Sequence, residues 1–115
     1  MVLEAPDAQV LSRFYARLLD WPVGDDDPGW VTLVPPDGAG VLSFQTSRDY
    51  VRPVWPAVEG QQQMMAHLDV EVDDLDVAVA AALELGATVA SFQPQEHVRV
   101  LLDPAGHPFC LYVDG

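Results

Sequence analysis

An internal repeat of 67 residues limits most strongly how this chain can fold. When the sequence is compared with itself at that offset, Asp7 aligns with Asp74, and each aspartate opens a segment with helical periodicity. Apolar character is kept over most of both halves without a gap, as where Val31 aligns with Val98. A fixed period is the sequence signature of a duplicated supersecondary unit. We therefore expect two tandem copies of one module.

Each copy predicts one helix. The segments Asp7–Leu19 and Asp74–Leu85 carry apolar residues at helical spacing, and the aspartate that opens each one can cap free backbone N–H groups. Gly86 is expected to end the second helix, because glycine readily adopts the left-handed conformation that follows a helix.

Short β-type runs surround each predicted helix. The first strands are expected at Val2–Ala5 and Met65–Val72, and turns rich in proline and glycine separate the later strands. The other predicted strands are Pro22–Gly24, Trp30–Val34 and Val41–Gln45 in the first half, and Thr88–Ser91, Val98–Leu102 and Pro108–Val113 in the second. Each half therefore has the order βαβββ, and the expected fold class is α+β.

The chain has 115 residues, which fits a single domain spanning residues 1–115. We place the first module at about residues 1–46, a linker at about 47–63 and the second module at about 64–115. The linker has no period, yet it contains apolar residues that a solvated tether would not need: Tyr50, Val51, Val54 and Trp55. These residues are expected to pack across a sheet edge or in a subunit contact, and a homodimer is the commonest arrangement of that kind.

The charge balance excludes several classes of partner. The chain carries 18 acidic and 5 basic residues, a formal net charge of −13, so its surface should repel nucleic acid and anionic lipid. No apolar run approaches the roughly 20 residues of a membrane span, and no signal peptide is recognisable. The single cysteine, Cys110, cannot form an internal disulfide, which is compatible with a reducing compartment. We expect a cytoplasmic protein.

Two segments of the second half resemble the glyoxalase/bleomycin resistance protein/dioxygenase (vicinal oxygen chelate) superfamily. The sequence HLDVEVDDLD from His67 is similar to the opening of a module in which a strand with a histidine leads into an acidic helix cap. The sequence LDPAGHPFCL from Leu102 is similar to the closing hairpin of such a module. The segments Phe14–Tyr15, Leu18–Trp21 and Val54–Pro56 look like the glyoxalase-like domain subgroup. The resemblance implies a curved, cup-shaped mixed sheet with helices on its outer face.

The resemblance also implies a divalent metal, held by a His or Gln on each first strand and a Glu on each last strand. In this sequence His67 fills one of these positions, whereas the two glutamate positions are Cys110 and, 67 residues earlier, Ser43. The fourth position would precede Met1. Because catalytic metal sites need about three protein ligands, no cofactor is expected. The possibility of a divalent metal bound through His67 stays open.

Strand alternation predicts which side chains line the cup. If the apolar residues of the strand after His67 meet the helix, the alternate residues face the other way. By the repeat, we expect the same alternation on the first strand of the first module and on the last strand of each module. The predicted ligand-binding residues are Glu4, Ser43, Gln45, Asp69, Glu71, Cys110 and Tyr112, arranged around His67 as the candidate catalytic residue. The alternative is an open, hydrated sheet face without a ligand. His97 and His107, beside turns, are expected to be solvated.

Two functions remain open at this point. In the first, the protein binds a small molecule in the cup without metal catalysis, as resistance-type members of the superfamily do. In the second, it is a metal-dependent lyase, isomerase or dioxygenase-type enzyme in which metal or His67 assists proton transfer. The missing carboxylates favour the first function. The fold cannot decide between them, because function depends on the site.

Overall fold

A computed structural model describes residues 1–114 and contains the βαβββ order twice. The first unit contains β1 (Val2–Ala5), α1 (Ala8–Leu19), β2 (Val23–Asp27), β3 (Trp30–Leu33) and β4 (Leu42–Thr46). The second contains β5 (Leu68–Glu71), α2 (Leu75–Glu84), β6 (Thr88–Val89), β7 (Val98–Leu102) and β8 (Pro108–Tyr112). The chain divides into two compact units between Tyr50 and Val51. The predicted α+β class with two tandem modules is confirmed.

Each unit has one mixed sheet of four strands. The strand orders are β1-β4-β3-β2 and β5-β8-β7-β6, so the last strand of each unit pairs with the first strand in parallel and with the third in antiparallel fashion. Val2 lies opposite Ser43, and Asp69 lies opposite Cys110, so the repeat of 67 residues holds pair by pair along these strands.

The third strand departs from the repeat by one residue. Val31 lies opposite Phe44, whereas Arg99 lies opposite the equivalent residue, Leu111. The predicted alignment of Val31 with Val98 is therefore wrong by one position. Because side chains alternate between the two faces of a strand, each strand must keep its register with its neighbour. The extra residue of the second unit therefore lies in the connection before β7, which is longer than the one before β3.

The helices begin as predicted. The Asp7 carboxylate accepts hydrogen bonds from the backbone N–H groups of Gln9 and Val10, and the Asp74 carboxylate accepts one from Val77 at 3.1 Å. These bonds satisfy donors that have no partner inside the helix.

The ends of the two helices differ. The second is followed by Gly86 with φ of +114°, as expected for a glycine after a helix, whereas Asp20 takes the left-handed conformation after the first.

Helix α1 packs its apolar face on the sheet of the first unit. The rings of Tyr15 and Phe44 stack with centroids 5.8 Å apart, and Phe14 meets Tyr15 edge-on at 4.9 Å. In the second unit, Phe109 and Leu111 of the last strand are fully buried. Full burial of one such side chain stabilises a fold by about 1.5–3 kcal/mol. In each unit, the apolar face of the sheet is therefore the one that packs against the helix.

Several strand boundaries differ from the sequence prediction. Strand β2 extends to Asp27 through an acidic run of low β propensity, because it pairs with β3 and the N–H of Asp25 donates to Thr32 Oγ1 at 2.8 Å. Strand β5 is shorter than predicted and begins only after His67, where its pairing with β8 starts. Within residues 1–114, neither helix is long and apolar enough to cross a membrane.

From Val51 onward, the predicted linker is part of the second unit. The Arg52 guanidinium donates to the carbonyl of Pro104, and the Trp55 ring lies 6.0 Å from that of Phe92. The N–H of Val54 donates to the carbonyl of Gln62 at 2.8 Å, which closes a loop in the same segment. This part of the chain is attached to the second unit by specific contacts.

The hairpin between β7 and β8 corrects one expectation. His107 is not solvated: its side chain is 16% exposed, and its Nδ1 lies 2.9 Å from Asp103 Oδ2. Asp103 is itself buried and accepts hydrogen bonds from the N–H groups of Ala105 and His107. A turn of the D-P-x-G-H type places residues four apart in contact, so the carboxylate organises the whole turn. His97 is exposed, as expected.

Asp103 should therefore contribute much more to stability than Asp37, an aspartate in the corresponding turn of the first unit. Asp37 also accepts one hydrogen bond within a turn, from the N–H of Ala39, but it is exposed. We expect Asp103→Ala to lower the free energy of unfolding by about 2–3 kcal/mol, because it leaves buried donors without an acceptor. Asp37→Ala should change it by less than about 0.5 kcal/mol. Equal effects of the two changes in chemical denaturation would contradict the assigned role.

Candidate ligand-binding site

The parallel pair β5/β8 carries polar side chains on the face turned away from α2. Asp69 and Glu71 project from β5, and their direct partners on β8 are Cys110 and Tyr112. His67 precedes the first residue of β5 and is exposed. Their neighbours on the other face are apolar, so the alternation predicted from the sequence places these five residues on one surface of the second unit.

The Asp69 carboxylate interacts with both the His67 imidazole and the Cys110 thiol. Its Oδ1 is 3.1 Å from His67 Nε2, and a further hydrogen bond joins its carboxylate to the Cys110 thiol. One potential ligand atom from each of the three residues lies within 4.8 Å of the other two. Since a carboxylate only accepts, a neutral His67 ring must donate through Nε2, which leaves Nδ1 as an acceptor. The carboxylate therefore orients the imidazole and holds the thiol proton.

Cys110 is a neutral thiol at ordinary pH. Partial burial, followed by the negative charge and the hydrogen bond of Asp69, raises the pKa of Cys110 from 9.0 to about 11. The thiolate is the nucleophile and the metal ligand in cysteine chemistry, so a raised pKa makes this residue unreactive. The residue acts here as a weak hydrogen-bond donor.

Tyr112 lies in an acidic environment. Desolvation and then the nearby charges of Glu71 and Asp69, together with a hydrogen bond to Glu71, raise the pKa of Tyr112. The phenol therefore stays protonated and donates to Glu71. At this end of the face, a hydrogen bond therefore joins the Tyr112 phenol to the Glu71 carboxylate.

The first unit places the other predicted residues on the equivalent strands. Glu4 of β1 lies opposite Gln45 of β4, and both side chains are exposed on the face away from α1. Ser43 shares that face of β4 but is 3% exposed, and it lies opposite Val2. The structure thus brings five predicted residues together in the second unit and three in the first.

The comparison with known families identifies the class of protein. The sequence profile of the family described as "Glyoxalase-like domain" matches residues 1–112. The chain therefore belongs to the glyoxalase-like domain family, within the superfamily whose motifs the sequence resembles. No curated protein shows significant sequence similarity to it.

Solved structures share the fold at low sequence identity. A glyoxalase/bleomycin resistance protein/dioxygenase family enzyme from Burkholderia phytofirmans PsJN has a TM-score of 0.71 at 18% identity, over 98% of this chain and 94% of that one. A glyoxalase/dioxygenase from Nostoc punctiforme has a TM-score of 0.69 at 21% identity, over 100% and 88%. A fosfomycin resistance protein from Mesorhizobium loti has a TM-score of 0.71 at 14% identity, over 100% and 89%. At these identities the likeness concerns the fold alone.

The raised pKa of Cys110 gives a prediction about Asp69. Carbon-13 NMR of labelled cysteine should give a titration midpoint of about 11 in the folded protein and near 9.0 in urea. Asp69→Asn removes a charge that opposes ionisation, so the midpoint should fall and the thiolate fraction at any lower pH should rise. Asp73→Asn removes one charge from an exposed position outside the cluster and should change the midpoint little. A native midpoint at or below 9.0 would show that Asp69 does not contact the thiol.

Proposed function

We propose that the protein binds a small organic molecule on the polar face of β5/β8, centred on His67, without a resident metal ion. The observation that carries the proposal is the pair of residues found where the family places its metal-binding carboxylates. One is Ser43, which is a neutral hydroxyl, and the other is Cys110, whose thiol keeps its proton. Both last-strand positions therefore lack the anionic oxygen that this type of metal centre requires there, and the carboxylates of the second unit's face stand on β5 instead, at Asp69 and Glu71.

The donor set does not fit the metal centre that the family implies. A serine hydroxyl is a poor ligand for a divalent cation, and a thiol must lose its proton before it binds one. Of the three family positions that fall within this sequence, His67 retains the expected residue type, whereas Ser43 and Cys110 do not. The proposed function therefore includes no step that depends on a metal ion.

The groups that remain define how a ligand would be held. His67 Nδ1 can accept a hydrogen bond while Asp69 holds the other ring nitrogen. Asp69 and Glu71 are exposed carboxylates, which accept from hydroxyl or amine groups. Glu4, Ser43 and Gln45 lie on the equivalent strands of the first unit, and we propose them as further ligand-binding residues there. Such a ligand would carry several hydrogen-bond donors.

An enzyme is the second candidate, and one observation favours it. Potential ligand atoms of His67, Asp69 and Cys110 lie within 4.8 Å of one another, so the face could hold a divalent cation after the thiol loses its proton. A member of this kind would be a lyase, isomerase or dioxygenase-type enzyme, in which His67 moves a proton at an oxygenated carbon of the substrate. A metal ion retained through purification would support this candidate.

We further propose that the protein is a cytoplasmic homodimer. Val51 is 61% exposed and Phe92 is 46% exposed, both in the second unit, and the Phe92 ring also contacts that of Trp55. A symmetric contact between two copies would cover such apolar residues. Sedimentation at micromolar concentration should give the mass of two chains, and Val51→Asp should shift it towards one chain. A wild-type protein that sediments as a single chain would exclude the dimer.

The ligand-binding proposal is tested by NMR with a library of water-soluble amines, polyols and carboxylates. In the presence of EDTA, a bound compound should shift the backbone signals of Asp69 and Cys110, and His67→Ala should weaken its binding by about tenfold, which corresponds to loss of one hydrogen bond. His97→Ala removes an exposed histidine outside the site and should leave binding unchanged. Binding that disappears with EDTA, or that survives His67→Ala undiminished, would contradict the proposal.

A further inference from the structure

We propose that the first unit binds an organic cation of the alkylated ammonium class over the exposed indole ring of Trp30, beside the carboxylate of Asp27. This inference goes beyond the proposed function, which is centred on His67 in the second unit. It depends on two residues that the proposed function does not use, Trp30 and Asp27. Both belong to a row of four side chains across the sheet of the first unit.

Strand pairing places the four residues of this row side by side. Glu4 of β1 lies opposite Gln45 of β4. Gln45 in turn lies opposite Trp30 of β3, and Trp30 lies opposite Asp27 of β2. Because neighbouring strands are about 4.8 Å apart, the row is about 14 Å long. It has a carboxylate at each end, with an amide and an indole between them.

The row lies on the face of the sheet that α1 does not cover. Val31 and Leu33 of β3 are buried, and α1 packs on this strand. Since side chains alternate along a strand, Trp30 points to the opposite face. Its side chain is 36% exposed, and the other three residues of the row are exposed as well. Part of a large aromatic ring is therefore accessible to a ligand among polar groups.

The charge of this face favours a cation. None of the four strands of the first unit contains a lysine or an arginine, so no basic side chain of the sheet neutralises Glu4 or Asp27. Asp26 differs from Asp27, because its Oδ1 accepts a hydrogen bond from Gln9 Nε2 of α1 at 3.0 Å. An indole attracts a cation that lies over its face within about 6 Å of the ring centre. The ring and the adjacent carboxylate thus attract the same charge.

The exposure of the row favours an alkylated ammonium group over a metal ion. A compact ion is strongly hydrated and loses much on leaving water, whereas methyl groups on nitrogen spread the charge and present apolar surface to the ring. The Gln45 amide oxygen, one strand away from Trp30, can accept a hydrogen bond from a hydroxyl group of the same ligand. Glu4, about 10 Å from Trp30 along the row, adds negative charge.

Choline is the probe for this site. Its matched control is the neutral carbon analogue, which has a tert-butyl group in place of the trimethylammonium group. Choline should bind saturably, and its methyl proton signals should move upfield in NMR spectra because they lie over the indole ring. The neutral analogue and glucose should each bind at least about fivefold more weakly. Added salt should weaken the binding of choline, because both carboxylates are exposed.

Variants of the row test the two groups that the inference adds. Trp30→Leu should abolish the upfield shift and weaken choline binding at least about fivefold. Asp27→Asn should weaken it by about twofold to fivefold, as expected for an exposed charge. Asp37→Asn removes one charge from an exposed turn of the same unit and should match the wild type. His67→Ala, in the second unit, should also match it.

Several results would overturn the inference. These are the absence of saturable choline binding, equal binding of the neutral analogue, tighter binding of glucose, or an undiminished upfield shift in Trp30→Leu. Loss of choline binding in His67→Ala would also overturn it, because the cation would then depend on the second unit. Circular dichroism shows whether each variant is folded, and Asp27→Asn and the neutral analogue give independent results if Trp30→Leu is not. Failure of the organic library at His67 would overturn the proposed function and leave the choline result unaffected.

Discussion

The parallel pairing of the first and last strands in each unit is the constraint on which the rest of the structure depends. It places the last strand inside the sheet, hydrogen-bonded on both sides, and fixes the register of its side chains. In the second unit, Phe109 and Leu111 then point to the helix, while Cys110 and Tyr112 point away from it. A shift of one residue would exchange the two sets. Burial of the apolar set therefore determines the chemistry of the opposite face.

Much of this arrangement could be predicted from the sequence. The repeat identified both modules, since the two helix caps and the apolar residues of the strands recur at the same spacing. Alternation with a period of two then assigned the polar residues of β5 and β8 to one face. Neither prediction needs knowledge of long-range contacts. The repeat follows from the duplication of one unit, and the alternation follows from the geometry of an extended chain.

Other features depend on contacts that the sequence pattern does not contain. The acidic run of β2 has a low β propensity, and it forms a strand because β3 supplies hydrogen-bond partners. An alignment of the two halves without gaps cannot detect that the connection before β7 is longer. Because of that longer connection, Arg99 rather than Val98 takes the position equivalent to Val31. The pair Asp103–His107 depends on a turn that folds residues four apart into contact. The hydrogen bonds of Asp69 likewise depend on side-chain conformations, which alternation does not determine.

A neutral thiol and a hydroxyl occupy the two carboxylate positions, and we propose that the protein for this reason holds no resident metal ion. Elemental analysis of protein purified without chelators tests this proposal, with His67→Ala as the companion variant. We expect far less than one transition-metal ion per chain in both proteins, since neither the Ser43 hydroxyl nor the protonated Cys110 thiol is a good ligand for one. Close to one zinc, nickel, iron or manganese ion per chain in the wild type, absent from His67→Ala, would contradict the account and favour the metal-dependent enzyme.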